Sequence, residues 1–349
     1  MIDSITKDLN STPTVQRRGR MGRVMGVRVL ATGSYVPEQV VSNADLAALG
    51  CDSDWIVRRT GIVERRKASH DQATSDLAYH AALRAIEQAG VTVDQIDLII
   101  VATMTPDYPT PSTACELQRR LGAVAPAMDL NAACAGFMYA LVTASQFIAT
   151  GNTKCALVVG ADIMNRTVDP ADKKTYPLFG DGAGAAILGI DKTSSGAGIL
   201  SYQLGSEGCG GEMLCIPAGG SRTPLTPAAL AAGKQYLQMD GRGVFKWAVR
   251  IFEESARDVL RHANLDVEEL DMIILHQANQ RIIESAVADL NVPTETVFVN
   301  LDRYGNTSAA SIPLALDEAL RSGKISPGNH VLLCGFGAGL AWGTALMRW

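Results

Sequence analysis

The chain has no C-x-x-C pair, no surplus of positive charge and no apolar run approaching the roughly eighteen residues a membrane helix needs. Each absence removes a class of function. Seven cysteines, odd in number and scattered at 51, 115, 134, 155, 209, 215 and 334, exclude a regular disulfide framework and suit a reducing, cytoplasmic compartment. A net charge of −5 provides no global field for nucleic acid, so an acidic partner would have to meet a local basic patch. No His, Cys and Asp residues cluster at ligand spacing, so neither a metal nor another cofactor is expected. The N-terminus lacks the continuous apolar stretch of a signal peptide, and no membrane association is expected. Residues 1–23 are polar, end in Arg17, Arg18, Arg20 and Arg23, and read as a frayed extension or an upstream start. What remains is 349 residues, 47% of them apolar, with 33 glycines: a compact globule of two ordinary domains or one large one, not a disordered chain.

Apolar helical stretches alternate with short β-branched runs such as 98–103 (LIIVAT) and 156–160 (ALVVG), the pattern of an α/β fold with buried strands. The chain also repeats itself. Residues 89–100 (AGVTVDQIDLII) match 263–274 (ANLDVEELDMII) without a gap at a spacing of 174. In the same order, 155–160 (CALVVG) matches 330–335 (HVLLCG), and the glycine loop 179–188 (FGDGAGAAIL) matches 336–346 (FGAGLAWGTAL). Two similar α/β halves about a pseudo-twofold axis are expected, residues 24–196 and 197–349. The Gly- and Pro-rich segment 208–233 is expected on the surface, near the mouth of the site.

Three residues stand where chemistry is expected. In 129–151 (DLNAACAGFMYALVTASQFIATG) a helix should begin about Cys134 and stop at Gly151, and unpaired N–H groups at a helix start favour thiolate over thiol. In the second half Asn306, 172 residues after Cys134, likewise opens a helix, so the repeat sets it opposite Cys134. His276 follows the strand DMIIL, where open α/β sheets present residues to ligand. Alone, a cysteine in an Ala-rich segment is usually packing and a histidine after a strand usually structural. Their convergence from two halves is what singles them out. His70, His80, His262 and His330 have no such placement.

At these residues the sequence resembles 3-oxoacyl-(acyl-carrier-protein) synthase III, a family of ketoacyl synthases in the thiolase superfamily. The likeness runs from 27–47 (VRVLATGSYVPEQVVSNADLA) to the C-terminus through DWIVRRTGI (54–62), AACAGF (132–137), FGDGAGAA (179–186), HQAN (276–279), YGNTSAAS (304–311) and GFGAG (335–339). It implies the five-layered αβαβα thiolase fold and a homodimer. It implies that Cys134 takes an acyl group from acyl-CoA, a substrate rather than a cofactor. His276 and Asn306 would then stabilise the enolate left when a malonyl-acyl carrier protein loses carbon dioxide, the start of fatty-acid synthesis. A second oxyanion hole would use the backbone of Cys134 and of Gly337 or Ala338. The resemblance assigns Trp55, Arg59, Arg166 and Asn279 to coenzyme A and its pantetheine arm, and Lys246 and Arg281 to carrier-protein docking. Two departures matter: Ala288 and Asp289 stand where relatives carry lysines, and Thr110 stands where acetyl-selective relatives place a Phe that closes the partner subunit's acyl pocket. The smaller Thr110 predicts tolerance of longer or branched starters.

Other readings fit less well. A papain-like protease shares the order Cys, His, Asn but not the local cysteine context or a duplicated α/β pattern. A degradative thiolase would need its second cysteine at position 335. Cys334 is one residue away, and that step along a strand turns the side chain to the opposite face. The Gly-rich loops precede strand-like AAIL and LAWG rather than a helix, which excludes a dinucleotide fingerprint. A non-catalytic scaffold would not need Cys134, His276 and Asn306 together. A polyketide- or quinolone-type condensing enzyme with the same three residues is the remaining alternative.

Overall fold

The computed structural model describes residues 19–193, 195–288 and 290–349. In chain order the first half runs β2 (Val27–Tyr35), β3 (Gln39–Ser42), α1 (Ser53–Thr60), β4 (Glu64–Lys67), α2 (Thr74–Ala89), β5 (Leu98–Ala102), α3 (Thr113–Leu121), β6 (Ala127–Leu130), α4 (Gly136–Ala149), β7 (Cys155–Ile163) and β8 (Asp181–Ile190). The second runs β9 (Gly198–Ser206), β10 (Leu214–Cys215), α5 (Pro227–Ala231), β11 (Gln238–Met239), α6 (Gly241–Ala263), β12 (Met272–Leu275), α7 (Gln280–Ala288), α8 (Leu301–Tyr304), α9 (Ser311–Arg321), β13 (His330–Gly337) and β14 (Ala341–Arg348). A strand β1 (Gly19–Met25) precedes both.

Two five-stranded mixed sheets organise the molecule, ordered β2-β8-β7-β5-β6 and β1-β9-β14-β13-β12. Helices α4 and α9 lie between them, α2 and α3 cover the outer face of the first, and α6 and α7 cover the second. That is the αβαβα arrangement. Every residue of β5 is buried, as a strand covered on both faces requires. The middle layer packs Phe137, Met138 and Leu141 of α4 with Ile312 and Leu316 of α9 against Ile100, Val158, Ile274 and Leu333 of the sheets. Each such buried side chain contributes about 1.5–3 kcal/mol. Helix α6 turns Trp247, Ala248, Ile251, Phe252, Ala256 and Val259 inward at helical spacing; Asp240 caps its start by accepting from Gly243 N–H at 3.1 Å. Among the described residues no helix is long and apolar enough to cross a membrane.

The repeat is sharper than the sequence reading had it. The pairing of Leu98 with Ala156 has its counterpart in Met272 with Val331, which relates β7 to β13 by 175 residues. The same interval relates the two left-handed non-glycine residues that begin 3-10 turns among the described residues, Ala133 at φ 46° and Ser308 at φ 52°. The residue matching Asn306 is therefore Asn131, not Cys134. Both asparagines use Oδ1 in the same way, accepting from Ala133 N–H at 3.1 Å and from Ser308 N–H at 2.9 Å. Nor are the two glycine loops equivalent: Gly180 leads into β8, whereas Gly337 closes β13, because β7 and β8 are separated by the long excursion 164–180.

The expected extension also differs over its last residues. Residues 19–25 form β1, which pairs antiparallel with β9 and adds an edge to the second sheet. Glycine permits this: a Cβ on Gly22 would stand 2.5 Å from the Tyr202 hydroxyl oxygen. Residues 1–18 lie outside those described.

Candidate active site

Cys134, His276 and Asn306 line one cavity of about 160 Å³, walled otherwise by apolar groups including Met104, Met164, Phe179, Leu237 and Phe336. Segment 208–233, expected near the mouth, contributes Leu214 to the wall through the β10–β11 hairpin. Cys134 sits in the 3-10 turn Ala133–Ala135 that leads into α4, bent inward by the left-handed Ala133. Against it stands Gly337. A Cβ there would lie 2.8 Å from the Cys134 nitrogen and 3.2 Å from its sulfur. Ala338 follows on the same wall.

His276 lies just past β12, its N–H donating to Cys334 O at 2.7 Å. Its Nδ1 meets the Ser311 hydroxyl at 2.6 Å, which leaves Nε2 to the cavity, and its ring meets Phe336 edge-on at 5.5 Å. Asn306 is held by a parallel bridge to Phe179: its N–H donates to Leu178 O at 2.8 Å and its carbonyl accepts from Gly180 N–H at 3.0 Å. With Oδ1 already accepting from Ser308, the amide can only turn its NH₂ to the cavity.

The charge state of the nucleophile departs from the expectation. Burial pushes the Cys134 thiol up to about 12, and the nearby Asp162 carboxyl adds to the rise. The field of the helix start does not overcome complete desolvation, so the resting group is a thiol. Burial likewise lowers His276 to about 3, leaving a neutral imidazole. Burial also raises the Asp162 carboxyl, and Ser308, facing both it and the Cys134 thiol, works against the rise in each without a well-aligned hydrogen bond to either.

Beyond the cavity opens a cleft of about 720 Å³ that shares Leu178, Met239, Gly241, Phe245 and Asn279 with it. Its lining carries six cations, Arg59, Lys173, Lys174, Arg242, Lys246 and Arg281, and no carboxylate. Trp55 lies under the Arg59 guanidinium at 4.9 Å. Asn279 ties the cleft together, donating from Nδ2 to Arg59 O at 3.1 Å and accepting from Arg281 N–H at 2.9 Å. Arg166 is not among the lining residues. Its guanidinium donates to the carbonyls of Ser69, His70 and Gln72 at 2.7–3.1 Å, a structural use. Lys173 and Lys174 take the place beside Trp55 expected for it; they were missed because only the folding of excursion 164–180 brings them there. Thr110 is exposed on the loop before α3 and lines none of this chain's own cavities near Cys134. Asp289 lies outside the described residues. Cys334 is buried beside Thr344 on the face of β13 opposite Gly335, as expected for a packing residue.

Four charged side chains among the described residues are buried to 1% exposure or less: Arg65, Asp162, Asp181 and Asp317. Arg65, at 1% exposure, donates to Val41 O, Asn43 Oδ1 and Pro177 O, and burial lowers it to about 10.

The profile of 3-oxoacyl-[acyl-carrier-protein] synthase III matches residues 128–208, and that of its C-terminal part matches 260–349. The beta-ketoacyl-[acyl-carrier-protein] synthase III of Rhodopirellula baltica is 69% identical over 94% of this chain and all of the relative. The crystal structure of 3-oxoacyl-[acyl-carrier-protein] synthase III from Aquifex aeolicus superposes with a TM-score of 0.84 at 41% identity, covering 93% of this chain and all of that one. The priming beta-ketosynthase of the R1128 polyketide pathway gives 0.85 at 38% identity, covering 96% and 98%. With a full-length relative at that identity and a solved structure of the same name superposing over its whole length, the chain belongs to the beta-ketoacyl-[acyl-carrier-protein] synthase III family.

Proposed function

We infer that the chain condenses an acyl-CoA starter with malonyl-acyl carrier protein, releasing carbon dioxide and giving a 3-oxoacyl-acyl carrier protein that begins fatty-acid synthesis. The observation that carries this reading is the meeting of Cys134, His276 and Asn306 in one mostly apolar cavity at the end of a cationic cleft. In the first half-reaction the Cys134 sulfur, losing its proton as it attacks, bonds to the acyl carbon, and coenzyme A leaves as a thiolate that takes a proton. The oxyanion of that step falls to the N–H groups of Cys134 and of Gly337 or Ala338. In the second, the bond between the malonyl carboxylate and its α-carbon breaks, and its electron pair forms an enolate. In this assignment the Ser311 hydroxyl, 2.6 Å from Nδ1, donates to it, the ring proton sits on Nε2, and His276 Nε2–H and Asn306 Nδ2–H would donate to that oxygen. The α-carbon then attacks the acyl carbon, the C–S bond breaks, and Cys134 is reprotonated.

A neutral imidazole suits this role, since a donor and not an acid is required, and removing one such donor costs about 10²–10³ in rate. The six-cation cleft suits the coenzyme A phosphates at Trp55 and Arg59 and an acidic carrier protein at Lys246 and Arg281. A cytoplasmic homodimer completes the reading: β6 is an edge strand that carries exposed Met128, with exposed Val124 just before it. In the pair, Thr110 of one copy would border the other's acyl pocket and leave it more room than a Phe would. The 69% identity to a beta-ketoacyl-[acyl-carrier-protein] synthase III, against 38% to the polyketide priming ketosynthase, favours this over polyketide priming.

The test is malonyl-acyl carrier protein decarboxylation followed by carbon dioxide release. His276→Ala and Asn306→Ala should each lower the rate by about 10² or more. Rates within about twofold of the parent would refute their assignment.

A further inference from the structure

Asp162, at the end of β7, is completely buried and takes five hydrogen bonds. Four converge on Oδ1: Thr103 Oγ1 at 2.9 Å, Met104 N–H at 2.9 Å, Thr105 N–H at 3.1 Å and Thr105 Oγ1 at 2.8 Å. The fifth, on Oδ2, comes from the Ala309 N–H of the other half at 3.1 Å. All five partners are donors, the surroundings of a carboxylate. The 175-residue repeat gives this contact a meaning. Position 162 is the counterpart of Gly337, and Ala309 is the counterpart of Cys134. At the reactive turn, Gly337 has no side chain and the Cys134 N–H is left for a developing oxyanion. At the mirrored turn, the N–H that would face an oxyanion faces the Asp162 carboxylate instead.

We propose that Asp162 is a positioning residue for the decarboxylation step, an internal anion that fills the disused twin of the oxyanion hole and so pins the 306–310 turn, and Asn306 with it, to the Cys134 half. The Asn306 backbone is also held by its bridge to Phe179, but among the described residues its side-chain amide is oriented through Ser308 N–H within that turn, and Ser308 itself sits in a left-handed conformation that needs outside support. Because Oδ1 is held by the 103–105 loop, whose Met104 lines the cavity, one carboxylate spans both walls of the site. The inference rests on Asn306 acting in decarboxylation.

Asp162→Asn is the informative change, since an amide NH₂ in place of Oδ2 opposes Ala309 N–H while the amide oxygen keeps the other four donors. Two half-reactions are read separately: malonyl thioester decarboxylation, and acylation of Cys134 by acyl-CoA followed by intact mass. Decarboxylation should fall about tenfold or more while acylation stays within about threefold. Thr103→Val, which removes one Oδ1 donor, should give a smaller loss in the same direction and decides the matter if the first variant does not fold. Equal loss of both half-reactions, tracking melting temperature, would reduce Asp162 to a folding role and overturn the proposal. So would unchanged decarboxylation. Asn306→Ala run alongside separates the two readings: if it retains decarboxylation, the role of Asn306 fails rather than the link to Asp162.

Discussion

At position 337 a methyl group would stand 2.8 Å from the Cys134 nitrogen and 2.9 Å from its Cβ, closer than such atoms approach without one of them moving. Gly337→Ala should therefore lower condensation by about a hundredfold with little change in melting temperature, since small displacements of a nucleophile cost that much. Near-parental turnover would show that the wall yields. The charge states give a second expectation. His276 has its pKa lowered by burial from 6.5 to about 3, so over pH 5.5 to 8 the folded enzyme holds it neutral, and its titration should leave no inflection in the decarboxylation rate. The sign for stability follows: above 6.5 the ring is neutral folded or unfolded, but as pH falls towards 3 the unfolded chain takes up a proton the native state refuses, and stability is lost. Melting temperature against pH for the parent and His276→Gln would check this; a shallower fall in the variant is expected. At this scale the triad was legible because each residue sits at an element boundary with a local signature. Arg166, Lys173 and Lys174 were not, because a side chain's partner across a 17-residue excursion is a tertiary fact. The thiolate expectation failed because helix starts can be read from sequence and depth of burial cannot.

Among elements, β1 is the one whose role the sequence concealed. Its run GRMGRVM is basic and glycine-containing, with weak alternation, yet it covers the edge of β9 and buries Val24 to 3% exposure while Met21 packs on the outer core. Only pairing with β9, some 180 residues away, makes it a strand. Deleting residues 1–25 would leave β9 as an open edge and should lower the melting temperature by at least about 3 °C, as loss of 1 kcal/mol or more implies. An unchanged transition would make β1 dispensable. The helices were more legible, their apolar stripes and glycine stops being local; α4 begins two residues after Cys134 because the 3-10 turn intervenes.

At the scale of the whole molecule, duplication was visible in sequence but its exact register was not. Matching glycine motifs aligned a segment that opens β8 with one that closes β13, and only strand pairing fixed the 175-residue interval. That register explains the asymmetry of function: one turn carries Cys134 facing glycine, its twin carries Ala309 facing a carboxylate. The central claim is that this doubled architecture presents a single acceptor of acyl groups, Cys134, within a wall that also borders a cleft of about 520 Å³ through Met104, Ala133, Leu237 and Ala338. Intact mass spectrometry after incubation with acetyl-, isobutyryl- or octanoyl-CoA tests it most directly. One acyl increment per chain is expected, formed readily with the larger starters and absent from Cys134→Ala; an increment that persists in that variant would contradict the assignment of the nucleophile.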